Sequence, residues 1–243
     1  MGLCPFFRCR RRENRMKMSN ELKLFSILAV IALALTGFAL YPRLTAKSHL
    51  IILPPEPVPL AREALIPPWS RFQGYQKAIF TLVEFGDYQC PSCRGAEATV
   101  VKLIAKSPGR LRRVFHHSVM VNDHPYAKTL AMAVEAAGRQ GKFWDMHRKV
   151  YEKQDEFMNT SMEQRRKTLL KAAHDLSLDI AKFNRDLDSP EVGEAVARLD
   201  EVAKTAKVRH TPCFFFIKPE GNPIYIRSAI QLEWYLNKPD SWN

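Results

Sequence analysis

Ala78-Ile-Phe-Thr-Leu-Val-Glu-Phe-Gly-Asp-Tyr-Gln-Cys-Pro-Ser-Cys93 is the stretch that decides the fold. Ala78 to Phe85 is apolar, with branched and aromatic residues, and predicts a buried strand. Pro91 to Lys106 reads as a helix: proline suits the first helical turn, and Ala96, Val100, Leu103 and Ile104 recur at helical spacing. Cys90 therefore stands at a helix N-terminus directly after a strand. Unpaired N–H groups and a partial positive charge favour an anion there, so its thiol is expected to ionise below pH ~7. Cys93 lies one turn further on the same face, placed to attack a mixed disulfide at Cys90 or to close an internal one. With no second Cys-x-x-Cys pair in the chain, a four-cysteine zinc ribbon is excluded.

Two features outside the pair sharpen the chemistry. Glu84 alternates with Leu82 at the end of the strand, which directs it inward beneath the dithiol, where burial raises a carboxyl pKa and lets it accept or return the Cys93 proton. Far downstream, Thr211-Pro212 precedes the strand Cys213 to Lys218, a position where an X-Pro bond is a candidate for cis. Such a proline facing a dithiol leaves the backbone of Thr211 open for pairing with an extended substrate. Pro91 and Ser92, between the cysteines, complete the expected substrate-side surface.

Leu111 to Val119 reads as a second strand, followed by a helical block over about 124–188 with capping signals at Asp123, Ser161 and Ser177 and breaks at Gly138, Gly141 and Asn159-Thr160. A helix capped by Ser189 runs over 190–207. A hairpin of 213–218 and 224–227 turns at Pro219-Glu-Gly-Asn222, and a last helix covers 228–236. Adjacent His116 and His117 point to opposite faces of their strand, so with His124 they make a poor metal site. Cys213, by alternation, points away from the active-site face into the core.

The N-terminal third is different in kind. Leu24 to Tyr41 is a run of eighteen uncharged, mostly apolar residues, at the short end of the ~17–25 that cross a bilayer as a helix. Arg8, Arg10, Arg11, Arg12, Arg15 and Lys17 precede it, a pattern that keeps residues 1–23 in the cytoplasm and sends the rest across. The expected arrangement is a single-pass inner or cytoplasmic membrane anchor; a signal cleaved near Gly37-Phe-Ala39, leaving a soluble periplasmic protein, is the alternative. Cys4 and Cys9 read as thiols without a role. Seven prolines in residues 42–68 exclude a helix and predict an extended tether. The net charge of +12 divides into +5 for residues 1–23, +1 for 24–68 and +6 for 69–243. The folded part has no basic run interleaved with aromatics, so nucleic acid is not an expected partner.

Leu82-Val-Glu-Phe-Gly-Asp-Tyr-Gln-Cys-Pro-Ser-Cys93, His124-Pro-Tyr-Ala127, Gly141-Lys-Phe-Trp-Asp-Met-His147, Leu187-Asp-Ser-Pro-Glu191 and Val208-Arg-His-Thr-Pro212 together resemble the DsbA-like thioredoxin family. The match covers about residues 72–236. The resemblance implies an α/β thioredoxin fold over residues 69–243 with an inserted α-helical domain, preceded by the transmembrane helix and Pro-rich linker. It implies a nucleophilic Cys90, a resolving Cys93, an acidic Glu84 and a cis Pro212. The implied activity is extracytoplasmic dithiol–disulfide exchange with thiols or disulfides of exported proteins, with no bound cofactor, and a membrane redox partner fits the same setting. Two departures stand out. Ser92 occupies the position where strongly oxidising DsbA has histidine, and Cys213 follows the proline where the family more often has a residue without a thiol. Oxidation of exported proteins is the expected direction; envelope reduction or isomerisation, and a copper-binding thiol module, are the alternatives.

Overall fold

The computed structural model describes residues 24–25, 28–29, 31–32, 55–158 and 160–242. Residues 1–51 and 52–243 form separate units. In the first, the described Leu24, Phe25, Leu28, Ala29, Ile31 and Ala32 are helical. Among the described residues no helix is long and apolar enough to cross a membrane. The basic segment 1–23, most of the expected anchor 24–41, and residues 42–54 of the expected tether lie outside the described residues.

The second unit is built on one mixed sheet. Its strands are β1 (Glu56–Pro57), β2 (Phe72–Gly74), β3 (Phe80–Gly86), β4 (Leu111–His117), β5 (Cys213–Ile217) and β6 (Ile224–Ile226), in the order β1-β6-β5-β3-β4-β2. Only β3 and β4 run parallel, joined by the helix Pro91–Lys106; the remaining pairs are antiparallel. The β5–β6 hairpin pairs Phe215 with Tyr225. Strand β3 is buried at every position because it has neighbours on both edges and helices on both faces.

The helices are α1 (Arg62–Leu65), α2 (Pro91–Lys106), α3 (Ala127–Gly138), α4 (Phe143–Glu152), α5 (Gln154–Met158), α6 (Met162–Asp175), α7 (Ile180–Asp186), α8 (Pro190–Thr205) and α9 (Ala229–Leu236). One sheet face carries Phe80, Leu82, Phe214 and Phe216 against Ala96, Val100 and Leu103 of α2 and Leu232 and Leu236 of α9. The other carries Val83, Phe85, Val114 and Phe215 against Leu65 of α1 and Val202 and Ala203 of α8. Helices α3 to α7, inserted between β4 and α8, close a third core with Phe115, Tyr88, Cys90 and Cys93.

Several sequence expectations shift. Residues 56–66 join the folded unit instead of continuing an extended tether: the run Leu60 to Ile66 is free of proline and forms α1, whose Leu65 is buried, while Pro57 lies in an edge strand where its missing N–H costs little. Ser161 caps α6 through Gln164 N–H. Asp123 and Ser177 do not cap helices. Helix α3 starts after Tyr126, and Ser177 has a positive φ of 57° in the turn before Asp179, whose side chain caps α7 instead.

Candidate active site

Strand β3 delivers the chain through Gly86-Asp87-Tyr88-Gln89 to Cys90, the N-cap of α2. That crossing is pinned from several sides. The Asp87 carboxylate accepts from the N–H groups of Gln89 (2.7 Å) and Met120 (3.1 Å) and pairs with His124 (3.1 Å). From the inserted helices, the Gln154 amide donates to the carbonyls of Tyr88 (2.8 Å) and Cys90 (3.0 Å). Gly86 is required by close approach: a Cβ there would lie 2.6 Å from the Phe115 ring.

Cys90, Cys93 and Cys213 are free thiols. Cys90 is 8 % exposed, and its Sγ lies 3.4 Å from the Thr211 carbonyl oxygen. The Thr211–Pro212 peptide is cis, so the far end of the fold meets the start of α2 at the sulfur. The Cys90 pKa is pushed down to about 5, first by the neighbouring Cys93 thiol, then by the Thr211 side chain and the N–H groups of Cys93 and Ser92 at the helix start, against the opposing effect of burial. The helix terminus thus contributes as expected, but the partner thiol contributes more. Cys93, fully buried, accepts from Asp87 N–H at 3.4 Å, and burial pushes its pKa well above the ordinary thiol value. The two sulfurs are differentiated: one is a thiolate at neutral pH and the other holds its proton.

Glu84 is 0 % exposed on the sheet face that meets α2, and burial raises its pKa to about 8. Its Oε1 has no hydrogen-bond partner. The cation nearest to it, Arg113 of β4, reaches Glu84 only at 3.5 Å because it is committed elsewhere: Nη1 and Nη2 donate to both oxygens of Glu97 on α2, at 2.6 and 2.9 Å. Glu97 also accepts from His147 Nε2 at 3.1 Å, and His147 Nδ1 meets the Tyr88 hydroxyl at 2.8 Å. Since a carboxylate can only accept, Nε2 carries the hydrogen and Nδ1 accepts from Tyr88. Burial lowers the His147 pKa to about 4, so the ring is neutral at pH 7. Burial also works against an ionised Glu97, yet His147 and Arg113 outweigh it and hold this carboxyl well below the usual carboxylate range. The buried network is one ion pair flanked by neutral groups, which leaves Glu84 protonated at neutral pH.

Of the residues singled out from sequence, Cys90, Cys93 and Thr211 meet directly, with Pro212 next to Thr211 and Pro91 and Ser92 exposed at the helix start, while Glu84 lies buried on the sheet face that meets α2 with Arg113 as its side-chain contact. Sequence reading misses Glu97, Arg113, His147 and Tyr88. Their available signal was charge at inward positions: Glu97 one turn after Cys93, and Arg113 in phase with Leu111 and Phe115. His116 and His117 do part, the first to the Leu65 carbonyl (2.8 Å) and the second to Glu135 (3.2 Å). Cys213 lies in the core on the α8 face, with its pKa raised to about 12 by burial.

Glu84 carries a stability signature of definite sign. An unfolded glutamate loses its proton near pH 4.5, whereas the folded chain keeps this one to about 8, so between those values the folded state binds more protons and stability falls as pH rises. The slope is about 1.4 kcal/mol per pH unit. Cys90, depressed in the reduced folded chain, contributes the opposite slope between about 5 and 9. The difference between Glu84→Gln and the parent cancels that contribution. Urea unfolding should show the variant gaining a few kcal/mol relative to the parent from pH ~5 to ~8; a flat difference would mean that Glu84 is ionised in the fold.

A thioredoxin family model matches residues 68–219, and the chain belongs to that family. The fold is that of DsbA-like thiol–disulfide oxidoreductases. A thioredoxin-like oxidoreductase from Silicibacter pomeroyi DSS-3 is 26 % identical with a TM-score of 0.56, covering 72 % of this chain and 94 % of that one. BdbD from Bacillus subtilis has a TM-score of 0.57 at 21 % identity, over 75 % of this chain and 96 % of that one. Among curated proteins, Na(+)/H(+) antiporter NhaA 3 of Salinispora tropica is 34 % identical over 149 residues, 61 % of this chain and 22 % of that protein. NhaA 1 of Mycolicibacterium gilvum is 31 % identical over 190 residues, 77 % and 29 % respectively. The chain thus spans about a quarter of the length of these curated relatives, and what they share with it is a domain.

Proposed function

We propose that this protein is a membrane-tethered thiol–disulfide oxidoreductase that works outside the cytoplasm and donates the Cys90–Cys93 disulfide to exported proteins. The observation that carries the reading is the inequality of the two sulfurs, a thiolate-forming Cys90 beside the Thr211 carbonyl and a buried, proton-holding Cys93. A substrate thiolate attacks Cys90 Sγ, the Cys90–Cys93 bond breaks, and Cys93 leaves with the electron pair and takes a proton from Glu84. A second substrate thiolate then attacks the substrate sulfur of the mixed disulfide, and Cys90 leaves as its stable thiolate. Two substrate thiols lose two electrons, the protein gains them as a thiolate and a thiol, and Glu84 regains its proton from solvent. The run 24–41 with its basic flank is read as the anchor. Relatives named as antiporters join a similar domain to a longer membrane protein, which supports a membrane-attached setting.

Direction follows from potential. Stabilising the Cys90 thiolate stabilises the reduced form and makes the disulfide a stronger oxidant, by ~30 mV per pKa unit. With Ser92 in place of histidine, the expected potential lies between the ~−120 mV of DsbA and the ~−270 mV of thioredoxin. Equilibration of the protein with glutathione buffers measures it. A value above ~−200 mV supports disulfide donation, and one as low as thioredoxin's overturns it in favour of reduction.

A further inference from the structure

On the sheet face opposite α2, the end of α8, the loop leading to cis Pro212, and strand β6 enclose an open cavity of about 610 Å³. Its floor is aromatic: Phe215 and Tyr225 pair across β5 and β6, with ring centroids 5.2 Å apart. Leu60, in the segment after β1, adds an apolar wall. The rim is cationic, with Lys207, Arg209 and Arg227, and no aspartate or glutamate lines the cavity.

Some of the described surface cations of the fold are paired with carboxylates and others, Lys77, Lys106, Lys128, Arg185 and Arg198 among them, are not; these three are unpaired and share one cavity rim. Arg94, Arg139, Arg148, Arg166, Lys182 and Lys204 each have a carboxylate within ion-pair distance. Among the described residues, Lys207, Arg209 and Arg227 have none, although all three are exposed. Glu56 pairs with Tyr225 across the sheet but neither lines the cavity nor bridges to its rim. Three uncompensated positive charges around an aromatic floor match a ligand that is negative at its edge and apolar at its centre.

The cavity also has an address. His210 lines it and receives a contact from the Tyr225 hydroxyl at 3.2 Å. Thr211, the next residue, carries the carbonyl that lies 3.4 Å from Cys90 Sγ. The cavity lining thus ends one residue before the backbone along which an extended polypeptide with its cysteine at Cys90 would pair.

Resting on the exchange reading above, we propose that this cavity receives an acidic segment bearing an aromatic side chain, from the same protein whose cysteine exchanges with Cys90. The domain thereby prefers substrates with glutamate or aspartate and an aromatic residue close to the reacting cysteine. The contact is made by exposed ion pairs around an apolar anchor, so it is sensitive to salt.

Calorimetric titration of the full chain with two cysteine-free hexapeptides tests this, one alternating Glu with Phe and the other alternating Lys with Phe. The acidic peptide is expected to bind about tenfold more tightly at low salt, equivalent to about 1.4 kcal/mol, and to lose most of that advantage at high salt. Arg209→Glu combined with Arg227→Glu should reverse the order; if that variant misfolds, the paired glutamine variants should bring the ratio towards one. Equal binding of the two peptides, or a preference that survives the substitutions, overturns the assignment. Complete displacement of the acidic peptide by millimolar inorganic phosphate also overturns it, since the cavity would then be an anion site without a peptide. The titration involves no thiol chemistry. A charge preference with an inert dithiol therefore removes only the exchange reading, and exchange without a charge preference removes only this one.

Discussion

Cys90→Ser is expected to lower the rate of disulfide exchange at least about a thousandfold, while Cys93→Ser keeps the Cys90 nucleophile, which attacks substrate disulfides and, with no resolving sulfur, accumulates mixed disulfides with substrate proteins. Cys90 is the sulfur that ionises near pH 5 and lies beside Thr211, whereas Cys93 is closed off from solvent and keeps its proton. Only Cys90 can be attacked from outside, and only Cys93 is placed to resolve the product. Non-reducing electrophoresis of the two reduced variants after incubation with an unfolded protein that carries a disulfide separates the outcomes. Equal trapping by both variants would show that the sulfurs are interchangeable and that burial does not assign their roles.

Arg113→Met should destabilise the folded protein by about 3–5 kcal/mol, a large part of a typical domain's total. Methionine fills similar space but leaves the Glu97 carboxylate buried with His147 as its remaining partner, and it removes the cation that reaches Glu84. The sign with pH follows from Glu97. Its pKa is depressed in the fold, so its stabilising contribution is present above the unfolded value near 4.5 and fades as pH falls. The cost of Arg113→Met should therefore shrink in acid. Adding Glu97→Leu, which removes the stranded charge, should recover most of the loss. Chemical denaturation of the single and double variants is the measurement, and a single-variant cost under about 1 kcal/mol would mean that water reaches the network.

The parts of this fold that local sequence announces are those whose signal lies within one element. Phe80–Gly86 and Pro91–Lys106 stand out because an apolar run meets a proline-started helix, and Ser189 caps its helix as its position suggests. Strand β2 has three residues at a sheet edge, too few for alternation to register, and β1 has two. The same distinction divides the site. Cys90, Cys93 and Glu84 are neighbours along the chain, and the Thr211-Pro212 pair is conspicuous by type. The Arg113–Glu97–His147–Tyr88 network joins residues 16 to 59 positions apart, and each of its charges looks like a surface residue until the sheet and the inserted helices enclose it.

Strand β1 has a mechanical consequence. It is fastened to β6 by the pairings of Glu56 and Pro57, with the Val58 N–H donating to Pro223 (2.8 Å) just beyond. Tension on the chain ahead of Glu56 is borne first by this short seam, far weaker than the seven-residue register between β3 and β4. The segment directly behind the seam contributes Val58 and Leu60 to the cavity wall. A pull that unzips β1 strips that wall before it loads the dithiol, and a ligand gripping the wall makes the seam harder to open. Traction on the chain and occupancy of the cavity act on the same few residues.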